Sequence, residues 1–433
     1  MNMKSNLSCL VLISSLPLSS PMALAQGNSP GAIVPDKYIV ELRPGAAPAP
    51  VVARHGLAPD FVFSTAINGF AGFIPPGQLR KLETDPEVAL VTPDREVTAF
   101  AKPVGGAITR QAQVTPAGVQ RIGADQLFGQ ISAAGVGVAV VDTGLDTSHP
   151  DLVVSSKMFS SIARANGKDD NGHGTHVGGI IAAKNDDYDV VGVAPGATLY
   201  AVKVLNRSGS GTDSTVIAGL DWVAQYYSSV TPNIRVVNMS LGRPGTLNDN
   251  PTYRNAIARL QSYRITVVVA AGNTCSAEIS GMVPACYPEA LAVASTTARD
   301  GASSLAGFDG IPMDTASYFT TDGAGVAVSA PGEDQENVSA TRAISSVGIL
   351  STKMGGGTTR MSGTSMASPH VAGVAALIYA AHSNITPDQV RANIATTAHG
   401  LGAVPLASPT TCYSDDGVAE GVVSAADAVA VSK

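Results

Sequence analysis

Charge is scarce in this 433-residue chain: only 14% of residues are Asp, Glu, Lys or Arg, and the formal net charge is −7. With 45% apolar residues the chain has material for a substantial core, and overall disorder is excluded. A nucleic-acid binder should be basic, and this chain is acidic. Lysine runs and basic helices are absent, so no anionic membrane surface is implied as a partner. Past the N-terminal region, no apolar run approaches the ~18 residues of a membrane span. Aromatic residues make up only 5% while glycines number 45, which suits many tight turns and close backbone approaches. No internal repeat is visible.

Residues 1–25 carry Lys4, an apolar stretch over 10–18, and Ala23, Leu24 and Ala25 just before Gln26. That is the pattern of a secretory signal with an A-x-A cleavage site. Lipid anchoring through Cys9 does not fit, because the apolar stretch follows that residue. The product is expected to be exported and soluble, either extracellular or periplasmic. Removal of the leader discards Cys9 and leaves Cys275, Cys286 and Cys412. Export permits disulfides. The expected bridge joins Cys275 to Cys286 with Cys412 free; the alternative pairs Cys412 with one of the two.

Two folded units are expected after the leader. Residues 37–42, 69–74 and 88–91 read as strands and 76–84 as a helix, which makes a small α+β domain over 26–100. Residues 101–115 lack periodicity and read as a linker. From 113 onward the pattern alternates. Near-continuous apolar strands at 136–141, 199–204, 235–239, 266–270 and 291–294 are separated by helical stretches at 176–183, 214–226 and 253–263. The fold class is α/β: a three-layer α/β/α catalytic domain with a mostly parallel sheet, whose active site belongs at the carboxyl ends of the strands.

Four candidate residues stand out, two of them, Asp142 and Asn273, at strand ends where that rule wants them. Ser365, in SGTSMASPHVAG, follows a glycine-permitted turn and opens an apolar helix on which Val371, Ala375 and Tyr379 share a face. Unpaired N–H groups at such a helix start favour negative charge beside a nucleophile. Taken alone, an N-cap serine on a core helix is the commoner reading. Asp142 ends the first strand; taken alone, a turn residue is the commoner reading. His173 lies 31 residues on (173 − 142), between two glycines that open a helix. Asn273 ends a later strand; asparagine is common in turns, but its side-chain N–H₂ is also a donor suited to an oxyanion. Zinc on His173 and His176 is a poor fit, because the HExxH glutamate and a third ligand are missing.

DTGLDTSHPDL, NGHGTHVGG, VVNMSLG, VVVAAGN and SGTSMASPHVAG, in this order and spacing, resemble the subtilisin-like serine protease family, or subtilases. The resemblance covers residues 36 to 430. It implies a serine endopeptidase working through an acyl-enzyme, with Asp142 supporting His173, His173 as general base, and Ser365 as nucleophile. Asn273 and the Ser365 N–H would hold the oxyanion. Gly209, Ser210 and Gly211 match one substrate-binding strand, and Ser240, Leu241 and Gly242 the other, with Ala271 and Gly272 as a wall of the pocket beside the scissile bond. Main-chain pairing of this sort accepts many protein and peptide substrates. The sequence departs from the family after Asn273, where Cys275, Gly281, Met282 and Cys286 leave that pocket's depth open.

The resemblance further makes residues 26–100 an inhibitory propeptide, 101–111 a processing linker and 112–433 the peptidase domain of a monomeric zymogen. Its first self-cleavage is expected near Phe100, with trimming towards Ala112; a rival site follows Arg110. A structural Ca²⁺ is expected at Gln113, Asp151, Lys184, Asp186, Tyr188 and Val190, as hard oxygen ligands. Asp186, Asp187 and Asp189 read alone as a solvated polar turn. Three rival readings remain. A catalytically silent binding protein on the same scaffold would not need all four catalytic positions filled. An esterase wants G-x-S-x-G and the order Ser, Asp, His. A nucleotide-binding fold wants G-x-G-x-x-G after the first strand.

Overall fold

The computed structural model describes residues 29–103, 110–275, 277–407 and 418–431; the expected leader lies outside these. The N-terminal unit runs β1 (Ile33–Leu42), α1 (Pro48–Arg54), β2 (Phe61–Phe63), β3 (Gly69–Phe73), α2 (Pro76–Leu82) and β4 (Val88–Ala99). β1 pairs antiparallel with both β3 and β4. Val40, Leu42, Val51, Phe70, Ile74, Leu82 and Val88 pack into a small core of their own.

Next come β5 (Lys102–Pro103), α3 (Ala117–Arg121), β6 (Gly137–Asp142), β7 (Phe159–Ser160), α4 (His173–Ala182), β8 (Thr198–Lys203), β9 (Ser210–Thr212) and α5 (Asp213–Tyr226). The chain continues through β10 (Ile234–Met239), β11 (Leu241–Pro244), α6 (Pro251–Ser262), β12 (Thr266–Ala270), β13 (Met282–Val283), β14 (Leu291–Thr297) and β15 (Val328–Glu333). After a hairpin of β16 (Glu336–Val338) and β17 (Ile344–Ser346) come β18 (Ile349–Thr352), β19 (Thr358–Ser362) and α7 (Thr364–Ala381).

Among the described residues the central sheet runs β15-β14-β12-β10-β6-β8-β7, with every pair parallel. Alternation of side chains along each strand splits the apolar residues between two cores. On β6, Val138 and Val140 join the core containing α4 and α7, while Ala139 and Val141 join the one containing α5 and α6. The expected three layers therefore follow from valine- and alanine-rich strands buried on both faces.

Several local expectations change. β4 runs to Ala99 rather than ending at 91, because its second half pairs with β9 and β11 of the larger unit instead of with its own core. Its polar run through Asp94, Arg95 and Glu96 hid that role. The stretch read as a linker is ordered at both ends: β5 pairs with β19, and Ala112 and Val114 bridge Tyr188 and Val190. Residues 299–312, whose purpose the sequence left open, pack beside β16, with Arg299 holding Asp334 at 2.6 Å and Ser303 bridging Val338.

Candidate active site

α7 starts at Thr364, directly after Gly363 at φ 152°. No side chain fits at Gly363, since a Cβ there would strike the Phe100 carbonyl oxygen. Pro369 sits one turn into α7 and has no N–H to give the carbonyl four residues back, which belongs to Ser365. That carbonyl instead accepts a hydrogen bond from Ser240 Oγ at 2.9 Å. The nucleophile candidate is thus pinned to the end of β10, and its own Oγ donates to Ser240 O at 2.9 Å.

At the end of β6, Asp142 is fully buried, and its Oδ1 lies 2.7 Å from His173 Nδ1 on the first turn of α4. The same oxygen accepts the Thr143 N–H at 2.6 Å. Burial alone would lower the affinity of His173 for its proton; the Asp142 charge and hydrogen bond outweigh that and hold its pKa above the ordinary histidine value. His173 Nε2 is buried and carries no hydrogen bond among the described residues. It is the ring nitrogen left to receive a proton. His176, one turn on, is engaged with Ile349 O at 3.1 Å, and burial pushes its pKa down to about 3.

Asn273 follows β12. Its Oδ1 accepts from Thr364 N at 2.9 Å and Thr364 Oγ1 at 2.8 Å, which fixes the amide so that Nδ2 faces outward. Nδ2 donates to the carbonyl oxygen of Phe100 at 2.9 Å, and the Ser365 N–H reaches the same oxygen at 3.3 Å. Two donors, one from a side chain and one from a helix start, converge on one peptide carbonyl.

That peptide is held on both sides. Before it, Val97 and Thr98 pair with Gly211 and Ser210 of β9, while Thr98 and Ala99 pair with Gly242 and Leu241 of β11. Ala99 N donates to Gly209 O at 3.0 Å and Phe100 N to Ser240 O at 3.3 Å. After it, Lys102 and Pro103 pair with Ser362 and Met361 of β19. Gly209, Ser210, Gly211, Ser240, Leu241 and Gly242 therefore all line the inserted strand. Ala271 and Gly272 do not bond to it: their N–H groups go to Val293 O and Thr364 Oγ1. The Phe100 ring lies on Gly242, where an added Cβ would come within 2.7 Å of its Cε2 and Cζ atoms. Met282, not Gly281, closes over Gly272, with its Cε 2.7 Å from where a Cβ would sit.

The expected Cys275–Cys286 bridge is overturned. Cys286 is a free cysteine packed against the core beside α5 and α6, and burial pushes its thiol up to about 11. Cys275 is itself disulfide-bonded. Cys412, expected to be free, lies outside the described residues.

The expected cation loop is assembled only in part. Gln113 Oε1 accepts the N–H groups of Asp186 and Asp187 at 2.8 and 3.1 Å, so its amide is spent on bracing the loop. Lys184 N donates to Asp151 O at 2.9 Å, and Asp186 Oδ1 accepts from Tyr188 N at 3.3 Å. Asp151 Oδ2 accepts from Val190 N at 3.3 Å, while buried Asp151 Oδ1 and Asp189 Oδ2 have no partner among the described residues. Burial pushes the Asp151 carboxyl up to about 7; the Val190 bond opposes this and the Asp186 and Asp189 charges add to it. No cluster of three His, Cys, Asp or Glu side chains suited to a metal occurs among the described residues.

Sequence reasoning missed several residues that shape the site. Asp169 grips the loop ahead of His173; the D-x-N-G pattern of an Asx turn was its only signal. Arg243 and Asp213 form a fully buried pair joining β11 to the start of α5, and no local pattern announces it.

Comparison with known proteins matches this geometry. The model of the subtilase family matches residues 133–423, and that of peptidase inhibitor I9 matches residues 59–100. Subtilisin E of Bacillus subtilis (strain 168) is 34% identical over 400 residues, covering 91% of this chain and 92% of its own length. M-protease of Shouchella clausii (strain KSM-K16) is 36% identical over 332 residues, covering 76% and 74%. Subtilisin J of Geobacillus stearothermophilus is 36% identical over 340 residues, covering 78% and 77%. An inhibitor-type unit whose last strand fills the cleft of an α/β hydrolytic domain is the arrangement of a protease precursor, and the chain belongs to the subtilase family of serine endopeptidases, with an I9-type inhibitor domain ahead of its catalytic domain.

Proposed function

We propose that this chain is a secreted zymogen whose first act is to cut its own Phe100–Ala101 bond. Ser365 Oγ turns from Ser240 O, gives its proton to His173 Nε2 and attacks the Phe100 carbonyl carbon. Asp142 steadies the imidazolium, and Asn273 Nδ2 with the Ser365 N–H takes up the negative charge on the oxygen. His173 then protonates the Ala101 nitrogen as it leaves, and water releases Phe100 from the acyl-enzyme. The observation that carries this reading is the Phe100 carbonyl oxygen, which already accepts from both donors. Substrates in trans would lie as the same added strand, with a large apolar residue over Gly242.

The domain boundaries follow: an inhibitory unit to Phe100, then a processing segment, then the peptidase domain. After the first cut, trimming stops short of Arg110. Its guanidinium lies 3.9 Å from the Tyr188 ring centre, and the neighbouring Gln111 N donates to Asp189 at 2.9 Å. These contacts support an end of trimming upstream of Ala112. Among the described residues no helix is long and apolar enough to cross a membrane.

A structural Ca²⁺ fits the loop at 184–190. Buried Asp151 Oδ1 and Asp189 Oδ2 lack hydrogen-bond partners among the described residues, the charges of Asp186 and Asp189 act on Asp151, and neighbouring carboxylates repel one another unless a cation offsets them. Asp151, Asp186 and the carbonyls of Lys184, Tyr188 and Val190 would hold the ion; Gln113 joins only by giving up its two loop bonds. The ion would supply stability, not chemistry.

The test is to refold the precursor and sequence N-termini over time. Ala101 should appear first, and a Ser365→Ala precursor should stay whole. A first N-terminus at Gln111, with no Ala101 intermediate, would sink the proposal. Equal half-lives of the mature enzyme with and without calcium would remove the cation site.

A further inference from the structure

We propose that Asp169 is a positioning residue for His173: its carboxylate locks the first turn of α4 onto the strand end carrying Asp142, and its charge shares in stabilising the imidazolium. The inference rests on His173 being the general base.

The carboxylate is unusually well used. Asp169 Oδ1 accepts from Thr143 Oγ1 at 2.9 Å, Asn171 N at 3.0 Å and Gly172 N at 2.9 Å. Oδ2 accepts from Thr175 N at 2.9 Å and Thr175 Oγ1 at 2.6 Å. Both threonines pass the link on. Thr143 Oγ1 accepts the Gly174 N–H at 2.9 Å, and Thr175 Oγ1 accepts the Asp146 N–H at 3.0 Å. Each side of the arrangement therefore ties α4 to the loop after β6, and His173 lies inside the loop so closed. Thr143 is also the residue whose N–H bonds Asp142 Oδ1. One carboxylate thus sets the spacing between base and supporting acid.

Its charge acts on the ring as well. The charged and titratable groups around His173 are Asp142 on β6, Asp169 ahead of α4, His176 on α4, Lys203 on β8 and His370 on α7. Lys203 Nζ is bound to Thr143 O at 2.6 Å and Asp170 at 2.6 Å, so its charge is largely answered. Burial keeps His176 and His370 neutral. That leaves Asp142 and Asp169 as the charges raising the proton affinity of His173. The base must be neutral to act, so removing the Asp169 charge moves the acid limb of activity to lower pH.

The experiment compares Asp169→Asn and Thr143→Val in the full precursor, matured and assayed on a peptide across pH. Asn keeps the size but turns an N–H₂ towards Thr175 and removes the charge. For Asp169→Asn the expected result is an acid limb of kcat/KM lowered by about half to one pH unit. Its kcat should fall roughly tenfold to a hundredfold with KM nearly unchanged, in line with a misplaced base. Thr143→Val cuts the tether and keeps the charge, so kcat should fall while the acid limb stays put. Thermal unfolding of Asp169→Asn in a Ser365→Ala background tests folding separately. A cooperative transition with a shifted pH limb supports the proposal. A limb and kcat within twofold of wild type, or loss of cooperative unfolding, overturns it. A His173→Ala precursor that still processed itself would instead refute the general-base reading.

Discussion

The carbonyl oxygen of Phe100 lies 2.9 Å from Asn273 Nδ2, although the two residues are 173 positions apart and belong to different units. The contact joins the last residue of the inhibitory strand to a donor fixed by Thr364 at the start of the nucleophile's helix. On the proposed reading, inhibition and first substrate are one geometry: the strand that fills the cleft also presents the bond to be cut.

Asn273→Ala should slow self-processing by roughly 10²–10³-fold, the cost established for the corresponding donor of subtilisin. Ser365→Ala should abolish processing, since triad members act as a unit. Time courses of precursor cleavage separate the two. Wild-type rates in Asn273→Ala would remove its oxyanion role.

Arg243 and Asp213, both wholly buried, meet through bonds of 2.9 and 2.7 Å, and Asn250 Nδ2 adds a third at 2.8 Å. Arg243→Met would leave the Asp213 carboxylate uncompensated at the first turn of α5, costing about 3–5 kcal/mol. Removing both charges in Arg243→Met/Asp213→Leu should recover much of that loss. Thermal or denaturant unfolding of Ser365→Ala precursors measures both; a double variant no better than the single one would contradict it.

Asp94, on the inhibitory strand, accepts from Ser214 N at 2.9 Å and Ser214 Oγ at 2.6 Å. Burial pushes its carboxyl up to about 6; the Ser214 bonds oppose this and Asp213 adds to it. Once the N-terminal unit separates, the carboxyl returns towards its ordinary value of 3.8. The docked state thus binds the proton more tightly. Docking is strongest below about pH 4 and weakens as pH rises through about 6, by up to roughly a hundredfold for a two-unit shift. Inhibition of the mature enzyme by its cleaved N-terminal unit, measured from pH 4.5 to 8, should show this loss. It should be much smaller in Asp94→Asn, and an identical pH dependence in that variant would refute the assignment.

Cys286 should be recovered unbridged in peptide maps made without reduction, and should resist alkylation at pH 8 until the protein is unfolded, because burial holds its thiol up near 11. Cys275 should be recovered in a bridged peptide. A Cys275–Cys286 peptide would reverse this.

Local pattern alone determined much of this protein. Five apolar runs rich in valine and alanine specified buried parallel strands, Asp142 and Asn273 marked strand ends, and glycine-bearing turns marked the helix starts that carry His173 and Ser365, because these signals depend only on near neighbours and backbone freedom. The full reach of β4 was not legible. Asp94, Arg95 and Glu96 look like a turn until Ser210–Thr212 and Leu241–Pro244 close on either side of the strand. The cysteine pairing failed for a related reason: separation in sequence says nothing of whether two side chains face each other, and Cys286 packs against the apolar core instead. Likewise only tertiary structure set Gln113 to bracing its loop, joined Arg243 to Asp213, and drew Asp169 across to Thr143. Each of these is a side-chain contact between segments 26 to 74 residues apart (169 − 143 and 187 − 113), and such contacts are chosen by how the layers pack rather than by any pattern along the chain.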